Sequence, residues 1–322
     1  MNSREKILCP VCPHRCMLSE GQTGRCRGRG VRNGRVIPLN YGIAVSLALD
    51  PIEKKPLNRF YPGSRILSIG SFGCNLSCPF CQNWEISTSD GREYIDLDEM
   101  DTNTGSDLID SQQDNKPAHD RNSVSAENYR EHSRNYLSPE KLAGLAEELK
   151  VRGNIGAAFT YNEPLIGYEY VLDAAKLLKE RGLKTVLVTN GTVNEEIADE
   201  VLPFTDALNI DLKSFRPEIY RDFLGGDLET VRHFIRNAAE RENCHVELTS
   251  LIVPGMNDSE EEMREMCAWI ASLPGGRNIP LHVTRFFPRY HLQDRKPTDK
   301  RKLLRLCEIA GEILQYVYPG NI

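Results

Sequence analysis

The stretch RILSIGSFGCNLSCPFCQNW, residues 65–84, joins an apolar, strand-like run to cysteines in a C-x3-C-x2-C spacing: Cys74, Cys78 and Cys81. Three thiols so close together cannot all pair as disulfides, so their place at a strand end points to a metal. Zinc would need a fourth ligand, and none lies nearby in sequence. An iron–sulfur cubane held by three thiolates keeps one iron open for a non-protein ligand. An amino acid's amine and carboxylate would chelate that iron, which fits S-adenosylmethionine.

Downstream of this stretch a rhythm sets in. Strand-like runs follow at IGAAFTY (155–161), KTVLVTN (184–190), DALNIDLK (206–213), HVELTSLIV (245–253) and PLHVTRFF (280–287). Helical patterns lie between them. SPEKLAGLAEELK (138–150) opens on Ser138 as N-cap with Pro139 at the first helical position. IGYEYVLDAAKLLKERG (166–182) stops at Gly182. DSEEEMREMCAWIASL (258–273) and TDKRKLLRLCEIAGEILQYV (298–317) complete the set. Strands alternating with helices of this length predict parallel βαβ units. Six units over about 250 residues predict an α/β chain built as an open, partial (β/α)6 barrel, with a doubly wound sheet as the alternative. Either way, chemistry collects where the strands end.

Upstream lies a cysteine-rich head, CPVCPHRCMLSEGQTGRCRGRG, with Cys9, Cys12, Cys16 and Cys26 as a second group. Such a metal-binding head, zinc or an auxiliary [4Fe–4S], would order a short Gly/Arg-rich segment that has no core of its own. The expected division is head and connection over 1–64 and barrel over 65–317. An acidic, aperiodic insertion at about 88–137 interrupts the barrel and reads as disordered.

The 322 residues carry a net charge of −6, which averages unlike segments. Residues 1–65 hold 12 Lys/Arg against 4 Asp/Glu, whereas residues 88–137 hold 5 against 12. The basic head lacks interleaved aromatics, which argues against nucleic acid. No apolar run of about 18 residues is long enough to span a bilayer. The charged, cysteine-bearing start MNSREKILCPVC is unlike a signal peptide, so the expected location is the cytoplasm. There, ten cysteines in tight groups mean metal or redox chemistry rather than disulfides. Cys244, Cys267 and Cys307 stand alone in apolar patterns and read as packing.

GCNLSCPFCQNWEIS, FTYNEP, LVTNG, NIDLKSF and LIVPGMND together resemble the pyruvate formate-lyase activating enzymes of the radical SAM superfamily. CPHRC, DPIEKKPL and LHVTRFFPRYHL further resemble the radical SAM enzymes of the AmmeMemoRadiSam system. The likeness covers nearly the whole chain apart from the acidic segment. It implies a [4Fe–4S] cluster on Cys74, Cys78 and Cys81 with S-adenosylmethionine on the open iron and Phe80 beside the adenine. It further implies cofactor contacts from Tyr161, Asn162 and Glu163, where the superfamily's two glycines are replaced but Glu163 and Pro164 remain. Thr189, Asn190, Asp211 and Lys213 would add polar contacts, and Ile252 and Val253 an apolar wall. His282 and Arg285 are the candidates for reaching substrate.

Reductive cleavage of the cofactor would give a 5′-deoxyadenosyl radical that abstracts hydrogen from an unidentified substrate. The implied partners are an electron donor of flavodoxin or ferredoxin type and other proteins of the system. An activase that makes a glycyl radical on a partner enzyme is the alternative. A non-catalytic iron–sulfur or zinc protein is the second.

Overall fold

The computed structural model describes residues 6–94 and 135–322; most of the acidic insertion therefore lies outside the described residues. Two small antiparallel pairs build the head. They are β1 (Ile7–Leu8) with β2 (Met17–Leu18), and β3 (Arg29–Arg32) with β4 (Arg35–Pro38). The remaining strands form one eight-stranded sheet. They are β5 (Ser46–Pro51), β6 (Arg65–Gly70), β7 (Asn154–Phe159), β8 (Lys184–Thr189), β9 (Ala207–Asp211), β10 (His245–Ile252), β11 (Leu281–Arg285) and β12 (Val317–Gly320).

The sheet runs in the order β12-β11-β10-β9-β8-β7-β6-β5, and its two edge strands do not pair with each other. β6 to β12 are parallel throughout, and the six runs read from sequence are its centre. Two edges were not foreseen: β5, antiparallel to β6, and β12, which begins at the last residue of what reads as one long terminal helix. An open α/β sheet of parallel units is the fold, as expected.

Helices Pro139–Glu148, Tyr168–Glu180, Glu195–Val201, Leu228–Ala239, Glu260–Ala271 and Lys300–Gly311 alternate with the strands. Ser138 Oγ caps the first by accepting from the Lys141 N–H at 3.3 Å. Gly182, at φ +65°, ends the second, with Leu183 N–H donating back to the Leu178 carbonyl. Leu142, Leu178, Val231 and Leu306 are fully buried against Leu187, Leu208, Leu248 and Leu281 of the sheet. Burial of an aliphatic side chain of this size contributes about 2 kcal/mol. Among the described residues no helix is long and apolar enough to cross a membrane.

The passage PIEKKPLNRFYPGS, which reads as an ordered but irregular connection, has a definite task. β5 runs against β6, so Pro51 pairs beside Arg65 and the chain must cross the N-terminal ends of the strands before β6 begins. Ile52, Leu57 and Phe60 are buried there against Ile66, Ala158, Val186 and Ala207, forming a separate small core. This segment closes the lower end of the sheet's concave side.

The head is fastened to the barrel rather than tethered. The Arg29 guanidinium is buried and makes two 2.8 Å bonds to Glu169 and one of 2.9 Å to the Ile166 carbonyl. Asn194 N–H donates to the Val11 carbonyl at 3.0 Å, and Cys74 N–H to the Cys26 carbonyl at 3.0 Å.

Candidate active site

A cavity of about 620 Å³ opens at the C-terminal ends of the strands. Its wall includes Cys74, Cys78, Phe80 and Cys81 from the loop after β6, and Tyr161, Asn162 and Glu163 after β7. Thr189 at the end of β8 and Asn190 after it, Asp211 at the end of β9 and Lys213 just past it, and His282 on β11 also line it.

The cysteine loop is held in shape by its neighbours. Asn162 Oδ1 accepts from Ser71 N–H at 3.0 Å, and its Nδ2 donates to the Phe72 and Gly73 carbonyls at 3.2 and 3.1 Å. The Asn162 amide is thus committed to splinting the turn before Cys74. Asn190 Nδ2 donates to Asn75 Oδ1 at 3.0 Å and to Cys74 Sγ at 3.6 Å. Leu76 N–H also donates to Cys74 Sγ, at 3.5 Å, and the Cys81 thiol donates to Ser87 Oγ at 3.7 Å. Burial drives the Cys74 thiol well above its usual range, with the charge of Glu163 adding to it. Burial also pushes Cys78 to about 11, although Lys213 pulls the other way.

Glu163 is buried with both oxygens engaged. Oε1 accepts from Thr189 Oγ1 at 2.7 Å and Leu165 N–H at 3.0 Å, and Oε2 from Asn190 N–H at 2.7 Å. Burial outweighs these bonds and raises its pKa to about 7. A cation arriving beside Oε2 would favour the ionised form. Asp211, the last residue of β9, and Lys213, two residues on, bond to each other at 2.6 Å. Burial opposes the Lys213 charge, but Asp211 more than compensates and its pKa is raised.

Three expectations need correction. Ile252 and Val253 do not line the cavity; they are buried in the core between sheet and helices. Side chains alternate along β10, where Thr249 and Leu251 face inward and Ile252 away, whereas Val253 lies past the strand with its N–H donating to Asn257 Oδ1 at 2.7 Å. Arg285 likewise follows the inward Thr284 and turns away. Its Nε donates to the Thr298 carbonyl at 2.7 Å, and its guanidinium lies over the Phe287 ring.

The structure adds Asp50 and Glu247, which sequence reasoning passed over; Lys55, in DPIEKKPL, reads from sequence as part of a rigid loop presenting lysines near the barrel mouth. Asp50, on β5, accepts from Lys55 Nζ at 2.9 Å and from the Tyr161 phenol at 2.8 Å. Lys55 is buried, whereas Glu53 and Lys54 beside it line the cavity. Glu247, a charged residue in the apolar run HVELTSLIV, is fully buried and bonds to His282 Nε2 at 2.6 Å. A carboxylate inside such a strand was the available signal.

The donor chemistry suits an iron–sulfur cubane. Three thiols face one cavity, and N–H groups point at the Cys74 sulfur, an arrangement that stabilises bound thiolate. Among the described residues no three His, Cys, Asp or Glu side chains converge enough to hold a single metal ion. A cubane spreads its irons over separate thiolates and asks for no such convergence. In the head, burial pushes the Cys26 thiol up to about 12 and also raises that of Cys12.

Known proteins resemble this chain over part or nearly all of its length. The Radical SAM superfamily matches residues 68–267. A Methanocaldococcus jannaschii protein, uncharacterized protein MJ0808, is 34% identical over 98% of this chain and 82% of its own. The pyruvate formate-lyase 1-activating enzyme of Escherichia coli K12 is 28% identical over 50% of this chain and 68% of its own. In a solved domain of pyruvate-formate lyase-activating enzyme from Bacteroides vulgatus, identity is 22% and the TM-score 0.45. That match covers 52% of this chain and 99% of the domain. The chain belongs to the radical SAM superfamily, enzymes that work with a [4Fe–4S] cluster and S-adenosylmethionine.

Proposed function

We propose that the chain is a hydrogen-abstracting radical SAM enzyme whose substrate is a small polar molecule enclosed in the 620 Å³ cavity. The observation that carries this is the meeting, in one cavity, of three free thiols with Glu163, Asp211 and Lys213. Cys74, Cys78 and Cys81 would hold the cluster. When bound, cluster and cofactor together supply reductive cleavage of the C5′–S bond and a 5′-deoxyadenosyl radical.

The protein's own contribution is binding, orientation and exclusion of water. Glu163 would receive the cofactor's ammonium at Oε2, held in place by Thr189 and the Asn190 N–H. Lys213 would take its carboxylate, and Asp211 a ribose hydroxyl, exchanging the contact they make with each other. Phe80 would lie against the adenine. Leu251, rather than Ile252 or Val253, supplies an apolar surface from β10. The floor formed by residues 52–60 keeps water from entering from below.

The test is anaerobic reconstitution, then dithionite and S-adenosylmethionine, with 5′-deoxyadenosine measured. Alanine at Cys74, Cys78 or Cys81 should abolish the product; wild-type yield from any of them refutes the assignment.

The similarity to pyruvate formate-lyase-activating enzymes favours a second reading, an activase acting on a glycine of a partner enzyme. It requires a glycyl radical signal to appear on a partner chain after mixing. In either case we infer a cytoplasmic protein reduced by a flavodoxin- or ferredoxin-type donor. The motifs CPHRC and DPIEKKPL support a place among the AmmeMemoRadiSam enzymes. We further infer a metal on Cys9, Cys12, Cys16 and Cys26, whose separation suits a cubane spread over separate thiolates better than a single zinc ion. Elemental analysis separates about four irons with one zinc from about eight irons with none.

A further inference from the structure

Glu247 sits on β10 with no solvent exposure, and four donors converge on its two oxygens. Oε1 receives Arg59 N–H at 2.7 Å and His245 Nε2 at 2.9 Å. Oε2 receives Asn58 N–H at 3.0 Å and His282 Nε2 at 2.6 Å. An ionised carboxylate only accepts, so a carboxyl meeting two backbone N–H groups and two imidazoles stays ionised. Burial alone would raise its pKa, but these bonds prevail and bring it down to about 2.

The tautomer of His282 follows from this arrangement. Its Nε2 must carry a proton to donate to Glu247, so in the neutral ring the lone pair resides on Nδ1. Among the described residues no group bonds to Nδ1, although the ring lines the cavity and stacks on Tyr318 at 5.3 Å. The cysteines, Glu163, Asp211 and Lys213 occupy the β6–β9 side of the cavity. His282, Thr284 and Tyr318 occupy the β11–β12 side, where no predicted cofactor contact lies.

We propose that the β11–β12 side is the substrate-recognition end, where His282 Nδ1 accepts a hydrogen bond from a hydroxyl or ammonium group of the substrate. Glu247 is the positioning residue that fixes the imidazole. This inference rests on the cavity being the substrate chamber. It gives the floor segment a second purpose, because the Asn58 and Arg59 amides that seal the barrel also hold Glu247 in its accepting state.

The test is nitrogen–proton correlation NMR on the full, anaerobically reconstituted chain, its clusters held oxidised with a diamagnetic ground state and its histidines labelled as [15N]histidine, with His282 assigned by its loss in His282→Asn. The expected spectrum has His282 protonated at Nε2 and bare at Nδ1. Ethylene glycol and methylammonium serve as hydroxyl and ammonium probes, and tetramethylammonium as a cation without a donor. At least one donor probe should shift Nδ1, and tetramethylammonium should not; whichever donor acts identifies the substrate group. A proton on Nδ1, a silent response to both donors, or an equal response to tetramethylammonium each overturns the proposal. Glu247→Gln should lose the single tautomer and the probe response, while the wild-type measurement stands whether or not that variant folds. Failure of cofactor cleavage would sink the enzymatic reading and leave this spectrum unchanged, so the two failures are distinguishable.

Discussion

The Tyr161 phenol donates to Asp50 Oδ2 at 2.8 Å, and this contact explains a non-glycine residue at φ +74°. The left-handed conformation costs a residue with a Cβ about 1–2 kcal/mol. The bond to Asp50 and the Lys55 ammonium 4.5 Å from the Tyr161 ring centroid together offset that cost. Burial opposes the Asp50 charge, but Lys55 and Tyr161 hold its carboxyl well below the usual carboxylate range. Asp50→Ala would leave Lys55 buried without its counter-charge and Tyr161 without its acceptor. The expected loss is about 3–5 kcal/mol, read from the urea midpoint. Asp50→Ala with Lys55→Met should recover most of it; no recovery would mean that the charge is not what Asp50 serves.

Glu163 sets a pH dependence of definite sign. Its folded-state pKa of about 7 lies above the ordinary 4.5, so the folded chain keeps a proton that the unfolded chain releases. The associated stability is fully present below pH 4.5 and is lost as pH rises through 7. The shift corresponds to about 3 kcal/mol. Unfolding of the ligand-free chain at stepped pH should show this decline between pH 5 and 8. Glu163→Gln should flatten it, even though Gln offers Asn190 a poorer acceptor and lowers the whole curve. An unchanged slope in the variant would remove Glu163 as its source.

Glu247 predicts the opposite slope in a different window. Its pKa is depressed to about 2, so its contribution is present above 4.5 and disappears as pH falls toward 2. The size is again about 3 kcal/mol. Acid unfolding should therefore begin earlier than in Glu247→Gln referenced to its own pH 6 stability. Near-identical acid profiles would show that the four donors do not hold an ionised carboxylate.

The parallel strands were legible because each is an apolar run bounded by polar strand ends, and a helix with its own cap signals follows most of them. The site was legible where side chains sit at strand ends, as with Glu163, Asp211 and Lys213. It failed where facing had to be chosen within a strand. Ile252 and Arg285 are each one position out of phase with the inward residues, Val253 lies past the end of β10, and an apolar strand buried on both sides carries no alternation to set the phase. Asp50 and Glu247 were hidden for another reason. Asp50 meets Tyr161 across 111 residues of sequence and Glu247 meets Asn58 across 189, pairings that only the closed floor brings together.

Gly73 stands where the head meets the cysteine loop. At φ +86° its position tolerates a Cβ poorly, and that Cβ would stand 2.5 Å from the Cys26 carbonyl oxygen and 2.9 Å from the Gly28 nitrogen. Both neighbours are backbone and cannot swing aside. The Cys74 N–H bond to Cys26 depends on the same close approach. Gly63 provides the control, with φ +80° and nothing within 4 Å of its added Cβ. Gly63→Ala should cost only the left-handed strain, about 1–2 kcal/mol. Gly73→Ala should cost clearly more and should expose the head to limited proteolysis at residues before Cys74. Equal costs with an equally protected head would mean that Gly73 serves the turn alone, and that the head does not depend on this contact.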